Sequence, residues 1–487
     1  MNTDHVTART PLSQYIADGK AHPLPKVLGP ISITFMGIGA IIGAGIFVLT
    51  GTAAALYAGP AVIVSFVLAA IACGFVGLCY TELATLIPIS GSTYTYTYIS
   101  LGRFAGWLIG WTLILEYSIG AATVSVGWSG YFSRTLATLG LGIPPRLAAP
   151  TGQLVTLSDG TTATALLNLP AVAIVAVLTF LLVRGTSESS RVNNLMVTLK
   201  LAVVLAFVLL GAPHVDPANW RPFVPPNEGT FGQFGWSGVL HGASVVFFSY
   251  IGFDAVSNCT QEAKRPQRDM PIGILGSLAV STVLYIAVAA VLVGLVPYQK
   301  LDVAAPIALG VAKIGLPWLQ LFVDAGALIG ITTAILVLLY GQSRIFARMA
   351  HDRLLPPVLA QVHPRLQTPW ISQILIGVAV AAVAGFIPIE LLSELVGVGT
   401  LFAFILVSFA VIRLRTLEPT AKRPFRVPAV PWVPLLGVLC CLVLMAGLSP
   451  LTWAWLASWI AIGLVVYFTY SRRRAPTPKH RRSRSMG

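Results

Sequence analysis

Gly37-Ile38-Gly39-Ala40-Ile41-Ile42-Gly43-Ala44-Gly45-Ile46-Phe47 decides how the rest of this chain is read. The stretch lies inside an apolar run from Ile31 to about Tyr57. That run exceeds the roughly 20 residues that cross a bilayer as helix. Four glycines sit in its middle, each weakening a helix by about 1 kcal/mol relative to alanine. In hydrocarbon, loosened backbone is tolerated only where it is buried in protein or lines a cavity. The stretch therefore reads as a transmembrane helix broken near Gly43. A break presents N–H groups of the resumed half and carbonyls of the first half. Such opposed dipole ends suit a ligand carrying both an anion and a cation, as an amino acid does. Two other readings compete. One is an unbroken helix whose small residues allow close packing. The other is a glycine-rich dinucleotide loop, which fails because no strand precedes the glycines.

Composition agrees with a membrane setting. Of 487 residues 56% are hydrophobic and 10% charged, and mean hydropathy is +0.82. Soluble domains carry about 25% charged residues. The first thirty residues are polar and proline-containing, unlike a cleavable signal with a short apolar core. Cys73, Cys79, Cys259, Cys440 and Cys441 are scattered through apolar sequence and suggest neither a disulfide frame nor a metal site.

Outward from the broken stretch, apolar segments fall at approximately 31–57, 60–86, 103–137, 165–183, 191–211, 235–261, 270–296, 317–349, 370–387, 388–413, 432–448 and 451–471. Twelve spans are expected, the division between the ninth and tenth resting on Pro388. They organise the chain into a polar tail (1–30), a first five-helix set (31–211), a second (235–413), two further helices (432–471) and a basic tail (472–487). With the N-terminus inside, most of the 31 Lys and Arg fall on the cytoplasmic side. Arg134, Arg146, Arg221, Lys300 and Lys313 fall outside, and Lys200 lies within a span. This bias puts both termini in the cytoplasm and accounts for the net charge of +14 without nucleic acid. The tail beginning Arg472-Arg473-Arg474 is expected to meet anionic lipid or to enforce topology.

A second interruption occurs at Phe247-Phe248-Ser249-Tyr250-Ile251-Gly252-Phe253-Asp254-Ala255, in the sixth segment. Segments one and six each begin a set of five. Five is odd, so the second set enters from the opposite face. Paired interruptions at matching positions of inverted halves point to a transporter's binding site.

Three motifs in order carry a resemblance. Gly39-Ala40-Ile41-Ile42-Gly43-Ala44-Gly45-Ile46-Phe47 resembles the first-helix motif of the amino acid–polyamine–organocation (APC) transporters. Ile251-Gly252-Phe253-Asp254-Ala255, followed by Pro266-Gln267-Arg268-Asp269-Met270-Pro271, resembles their sixth helix and the loop after it. Arg344-Ile345-Phe346-Ala347-Arg348-Met349-Ala350-His351-Asp352-Arg353-Leu354-Leu355-Pro356 resembles the loop after the eighth, with Arg353 where the family often has glycine. The likeness covers roughly 26–470 and is nearest the bacterial branch related to cationic amino acid transporters. It implies an all-α, LeuT-like fold of two inverted five-helix repeats. It implies that amides around Ala44, Gly45 and Ile46, next to Ile42 and Gly43, hold a substrate α-carboxylate. The carbonyls of Ile41, Phe248 and Ile251, flanking Ser249, would receive the α-ammonium. Phe248 falls where the family places an aromatic gate. Many relatives carry a hydroxyl where this chain has Ala44.

Charges inside spans are expensive and usually functional. Lys200 lies roughly 13 Å along a helix from Arg191, near the middle of a ~30 Å core. It is either a static partner for a carboxylate or a group that loads and loses a proton. Its ammonium could bind carbonyls freed at Gly43. The resemblance adds that the proton-coupled branch carries a fifth-helix lysine in place of sodium, so a proton is the expected coupling ion, with no other cofactor. Glu116, deep in the third span, is a candidate proton carrier, a contact for a cationic side chain, or a structural carboxylate. Asp254 is a gate or proton group, or a cap of the resumed helix. Asp324 and Glu394 fall near outer ends and are expected to be solvated, and His241 stands alone. Ile331 with Phe248 is expected to narrow the pocket toward small or apolar amino acids, whereas Glu116 would favour arginine. Thr332 and Thr333 keep a sodium site open as an alternative. No nucleophile–base or metal constellation points to an enzyme, and no ring of charge points to a channel. A small membrane protein partner is neither indicated nor excluded by the residues.

Overall fold

The structure is a computed structural model that describes residues 26–87, 92–157, 160–185, 190–366 and 368–472. The polar tail up to residue 25 and the basic tail from residue 473 lie outside the described residues, with the lipid contact expected of the latter.

The architecture is helical. α1 (Pro30–Ile41) begins with proline in its first turn, where the missing N–H has no intrahelical partner to lose. It stops at Ile42, whose backbone is extended (φ −76°, ψ 97°). The chain bends through Gly43 and resumes as a π-helical turn at Gly45–Leu49. A second π turn at Ala54–Ala58 and a bend at Gly59 (φ 61°) lead into α2 (Val62–Leu86). α3 (Ser92–Leu101) and α4 (Arg103–Thr138) meet at Gly102, whose φ of 95° suits a residue without Cβ.

A short antiparallel hairpin, β1 (Leu154–Thr156) with β2 (Thr162–Thr164), precedes α5 (Leu169–Arg184). Asn168 caps α5, its Oδ1 accepting the Ala171 N–H at 3.2 Å. α6 (Ser190–Gly211) and α7 (Gly235–Val246) follow. α7 gives way to 3-10 turns at Phe247–Tyr250 and Ala255–Glu262, with a second break between them. The remaining helices are α8 (Pro266–Leu295), α9 (Pro306–Ile314), α10 (Pro317–His351), α11 (Trp370–Phe386), α12 (Ile389–Leu417), α13 (Trp432–Ala446) and α14 (Pro450–Val466). α11 and α12 part at Ile387–Pro388, as Pro388 led one to expect.

Among the described residues, seven helical stretches are long and apolar enough to cross a membrane: Gly45–Leu86, Arg103–Thr138, Asn194–His214, Pro266–Leu295, Pro317–His351, Leu391–Leu417 and Pro450–Ser471. Pro30–Ile41, Leu169–Arg184, Trp370–Phe386 and Trp432–Ala446 are shorter apolar helices. Large apolar side chains, such as Leu209 on α6 and Trp455 and Val465 on α14, are exposed on outer faces. That is ordinary for a chain whose solvent is lipid.

α4 packs along α10 and α12, and α8 packs against α1 and α2. The two breaks meet between these groups. Buried ion clusters tie the frame at its ends. Glu82 of α2 takes two bonds from Arg415, at 3.0 and 2.7 Å, and the Val427 N–H at 2.7 Å, with Arg423 at 3.3 Å.

Three expectations are corrected here. Glu394 and Asp324 are buried (7% and 2% exposed) rather than solvated. Asp324 pairs with Arg134 of α4 at 3.7 Å. His241 is not alone: its Nε2 lies 3.2 Å from Glu394, and Tyr57 stacks on its ring at 4.2 Å. In each case tertiary packing brings a partner to a charge that looks solitary along the chain.

Candidate functional site

The broken segments lie side by side because glycine removes the atoms that would separate them. A Cβ on Gly45 would overlap the Ser249 side chain. Gly252, at φ 119°, would place a Cβ 2.8 Å from the Ala40 carbonyl carbon. Neither position accepts an L side chain without displacement of the opposing backbone or side chain. Tyr285 of α8 stitches the breaks together. Its hydroxyl lies 2.8 Å from the Ile41 carbonyl and 2.6 Å from the Ser249 carbonyl. One hydroxyl has one proton, so it serves these acceptors in turn or by sharing.

A cavity of about 30 Å³ opens where the breaks meet. Ala40, Ile41, Gly43, Ala44 and Gly45 form one wall, and Phe248, Ser249, Ile251, Gly252 and Asp254 another. α4 adds Tyr117, Gly120 and Val124, and α10 adds Ala334, Val337 and Leu338. The space suits a water-sized occupant, with Phe248 buried at its edge. Three polar side chains line it: Tyr117, Ser249 and Asp254. Asp254 Oδ1 accepts the Gly252 N–H at 3.1 Å, and Oδ2 accepts the Tyr117 hydroxyl at 3.5 Å. Asp254 thus bonds back into the break and makes no side-chain cap on the helix that follows.

Lys200 reaches the first break from α6. Its Nζ donates to the Gly39 carbonyl at 2.9 Å and to the Ile42 carbonyl at 3.1 Å. The side chain is fully buried and passes Gly330 of α10, where an added Cβ would lie 3.2 Å from Lys200 Cγ. The ammonium therefore sits on carbonyls that the broken helix leaves without N–H partners. Thr332 and Thr333 turn their hydroxyls onto their own helix, at the Leu328 and Gly330 carbonyls (2.7 and 2.9 Å).

The other expected site residues are distributed unevenly. Ile41, Gly43, Ala44, Gly45, Phe248, Ser249, Ile251 and Asp254 line the cavity. Ile42, Ile46, Glu116 and Ile331 are buried but not on its wall. Ile331 lies about one turn from Ala334, which is on the wall. Neither oxygen of Glu116 has a hydrogen-bond partner among the described residues. Asp254 is its charged neighbour, and Thr400 of α12 lies beside it. The Ile41 carbonyl already has the Tyr285 hydroxyl as a donor, and the Phe248 carbonyl accepts the Ile251 N–H at 3.1 Å. Tyr117, Gly120, Val124, Tyr285, Ala334, Val337 and Leu338 were not legible as site residues. They are apolar or aromatic helix positions that only packing selects.

A family model described as amino acid permease matches residues 28–474. The chain is 46% identical to the methylthioribose transporter of Bacillus subtilis, over 96% of this chain and 98% of that protein. It is 46% identical to the branched-chain amino acid permease BcaP of Bacillus subtilis, over 93% of this chain and 94% of that one. It is 38% identical to the vacuolar cationic amino acid transporter 4 of Arabidopsis thaliana, over 82% of this chain and 64% of that protein.

Proposed function

The chain belongs to the amino acid permease family of the APC superfamily, a transporter family rather than an enzyme family, and from that premise we propose a secondary active carrier of L-amino acids working by alternating access. The observation that carries the reading is the meeting of two broken helical segments on one buried cavity. Amides at Ala44, Gly45 and Ile46 bind the α-carboxylate, supplemented by the dipole of the resumed helix. Carbonyls at Ile41, Phe248 and Ile251 receive the α-ammonium, so the Ile41 carbonyl shares or exchanges its bond to Tyr285. Ile42 and Gly43 form the hinge between these groups. A cavity of about 30 Å³ is smaller than any amino acid, so binding requires Phe248 and the half-helices to move apart.

In this reading the chain makes twelve spans in the bacterial plasma membrane, with both termini cytoplasmic. Residues 31–211 and 235–413 are inverted halves of a LeuT-like fold, and 432–471 is an added helical pair. The basic tail rests on anionic lipid.

The side chain of the substrate meets Gly120, Val124, Ala334, Val337 and Leu338. That wall favours aliphatic amino acids over arginine. Glu116 stands behind it rather than on it. The transported ion is a proton, and Lys200 is the group that couples it, alternately holding the Gly39 and Ile42 carbonyls and releasing them. Asp254 and Glu116 form the neighbouring acidic pair through which a proton enters. No other cofactor is needed.

A second reading is transport of methylthioribose. It is favoured by a relative of that printed name whose identity to this chain equals that of the branched-chain permease. The test is uptake into proteoliposomes of radiolabelled leucine, alanine, arginine and methylthioribose, with proton and sodium gradients imposed separately. Leucine and alanine accumulation driven by protons alone is expected. Accumulation of methylthioribose without amino acid uptake would overturn the substrate, and dependence on sodium would overturn the coupling ion.

A further inference from the structure

Of the three polar side chains on the cavity wall, Tyr117 and Asp254 bond to each other. Ser249 does not share in this. Its Oγ has no hydrogen-bond partner among the described residues, although the residue is only 2% exposed. A buried hydroxyl left without a partner loses its hydration and gains nothing in return. Native structures seldom leave such a group unless something outside the protein completes it. The position of the hydroxyl shows what would complete it. Ser249 occupies the space that a side chain on Gly45 would fill. Its Oγ therefore stands against the first turn of the helix resumed after the break. That turn presents N–H groups and the positive end of a helix dipole, which select an anion. The neighbouring Ala44 and Ile46 side chains have nothing to donate.

We infer that the Ser249 hydroxyl donates to the substrate carboxylate, as its side-chain donor beside the backbone amides of Ala44–Ile46. The inference rests on the amino acid reading of the site and adds a structural consequence to it. The donor comes from the second broken segment and the amides from the first. The carboxylate thus fastens the two segments to each other, across the contact that Gly45 permits. The Ser249 carbonyl stays with Tyr285, so the residue is held by its main chain while its hydroxyl serves the ligand.

The experiment measures equilibrium binding to the purified full-length protein of whichever amino acid the wild type takes up. Ser249→Ala and Ser249→Cys are compared with wild type. The infrared carboxylate band of the same ligand, labelled with carbon-13 at the carboxyl, is recorded on each. Ser249→Ala is expected to weaken binding about tenfold, in keeping with a bond to a charged group. It is also expected to shift the carboxylate band. Cysteine, a weaker donor of similar size, falls between. Melting temperatures within a few degrees of wild type show that the variants are folded. Binding within twofold of wild type, or weakened binding with an unmoved band, would overturn the inference and leave the amino acid reading standing. Failure of the folded wild type to bind any amino acid would overturn both.

Discussion

Lys200 Nζ spans the Gly39 and Ile42 carbonyls, so at the scale of one residue the coupling proposal can be broken cleanly. Lys200→Ala should abolish proton-driven accumulation in proteoliposomes while weakening equilibrium binding much less. Lys200→Arg should fail too, because guanidinium does not give up its proton. Accumulation that survives Lys200→Ala and follows sodium would instead assign the region near Thr332 and Thr333 to a metal ion. On the wall of the cavity, Ala334→Ile should exclude leucine before alanine. Ile331→Ser, one turn away, should leave the leucine-to-alanine uptake ratio within about twofold, as expected of a residue that does not touch the ligand. If Ile331→Ser shifts that ratio as strongly as Ala334→Ile, the wall is wrongly drawn. The main-chain part of the candidate site was legible because glycines at two points of apolar runs loosen the helix there. Lys200 was legible because a charge in such a run stands out. Ala334 and Val124 were not, since an alanine or valine on a buried helix has the same composition whether it meets a ligand or another helix.

The elements around the two breaks are tied to their neighbours at specific points. His241 of α7 meets Glu394 of α12, and Glu394 also accepts bonds from Ser449, at 2.6 Å, and from Thr452 of α14. Tyr57, at the end of the resumed first helix, stacks on the same histidine. One carboxylate therefore joins three helices and, through the ring, a fourth segment. Glu394→Ala leaves the cluster without its acceptor and should cost about 1–3 kcal/mol, read as a fall in melting temperature in detergent. Glu394→Gln keeps one acceptor oxygen and should lose less. Equal losses for the two would show that the charge, rather than the hydrogen bonds, holds the cluster. Gly252→Ala tests the second break: a left-handed backbone and a carbonyl carbon 2.8 Å from the new Cβ should lower stability by at least about 1–2 kcal/mol. Elements carried by hydropathy were legible in the sequence, among them the helix boundary at Pro388. Short elements were not. Thr93-Tyr94-Thr95-Tyr96-Thr97-Tyr98 alternates in the manner of a strand, yet it forms α3. There Tyr80 of α2 bonds Thr93 at 2.5 Å and Tyr94 bonds Asp352 at 2.8 Å, so tertiary partners override the local pattern.

Across the whole molecule, buried pairs of this sort set how the fold responds to its medium. Burial raises the Asp352 carboxyl, but His351 beside it at 3.9 Å, Arg348 and the Tyr94 hydroxyl together outweigh burial and hold it below its ordinary value. A depressed carboxylate contributes stability that is present above its unfolded pKa of about 3.9 and is lost as pH falls through the folded one. The clasp between α3 and the end of α10 should therefore persist through neutral and mildly acidic medium and open only in strong acid. Asp352→Asn should abolish that acid-limb contribution in a melting-temperature profile against pH. An unchanged profile would place the acid sensitivity elsewhere. The two helix breaks were readable from glycine placement within apolar runs. The ties between Glu82 and Arg415, or Asp324 and Arg134, were not, because their partners lie far apart along the chain. The division of labour at the cavity has a consequence over longer times. In the proposed site, peptide amides and carbonyls together with the Ser249 hydroxyl meet the part common to every amino acid, and any one point mutation leaves most of these groups in place. Side chains on α4 and α10 meet the part that differs, and each can be exchanged singly. Descendants of such a carrier can change their cargo one wall residue at a time while inheriting the grip intact.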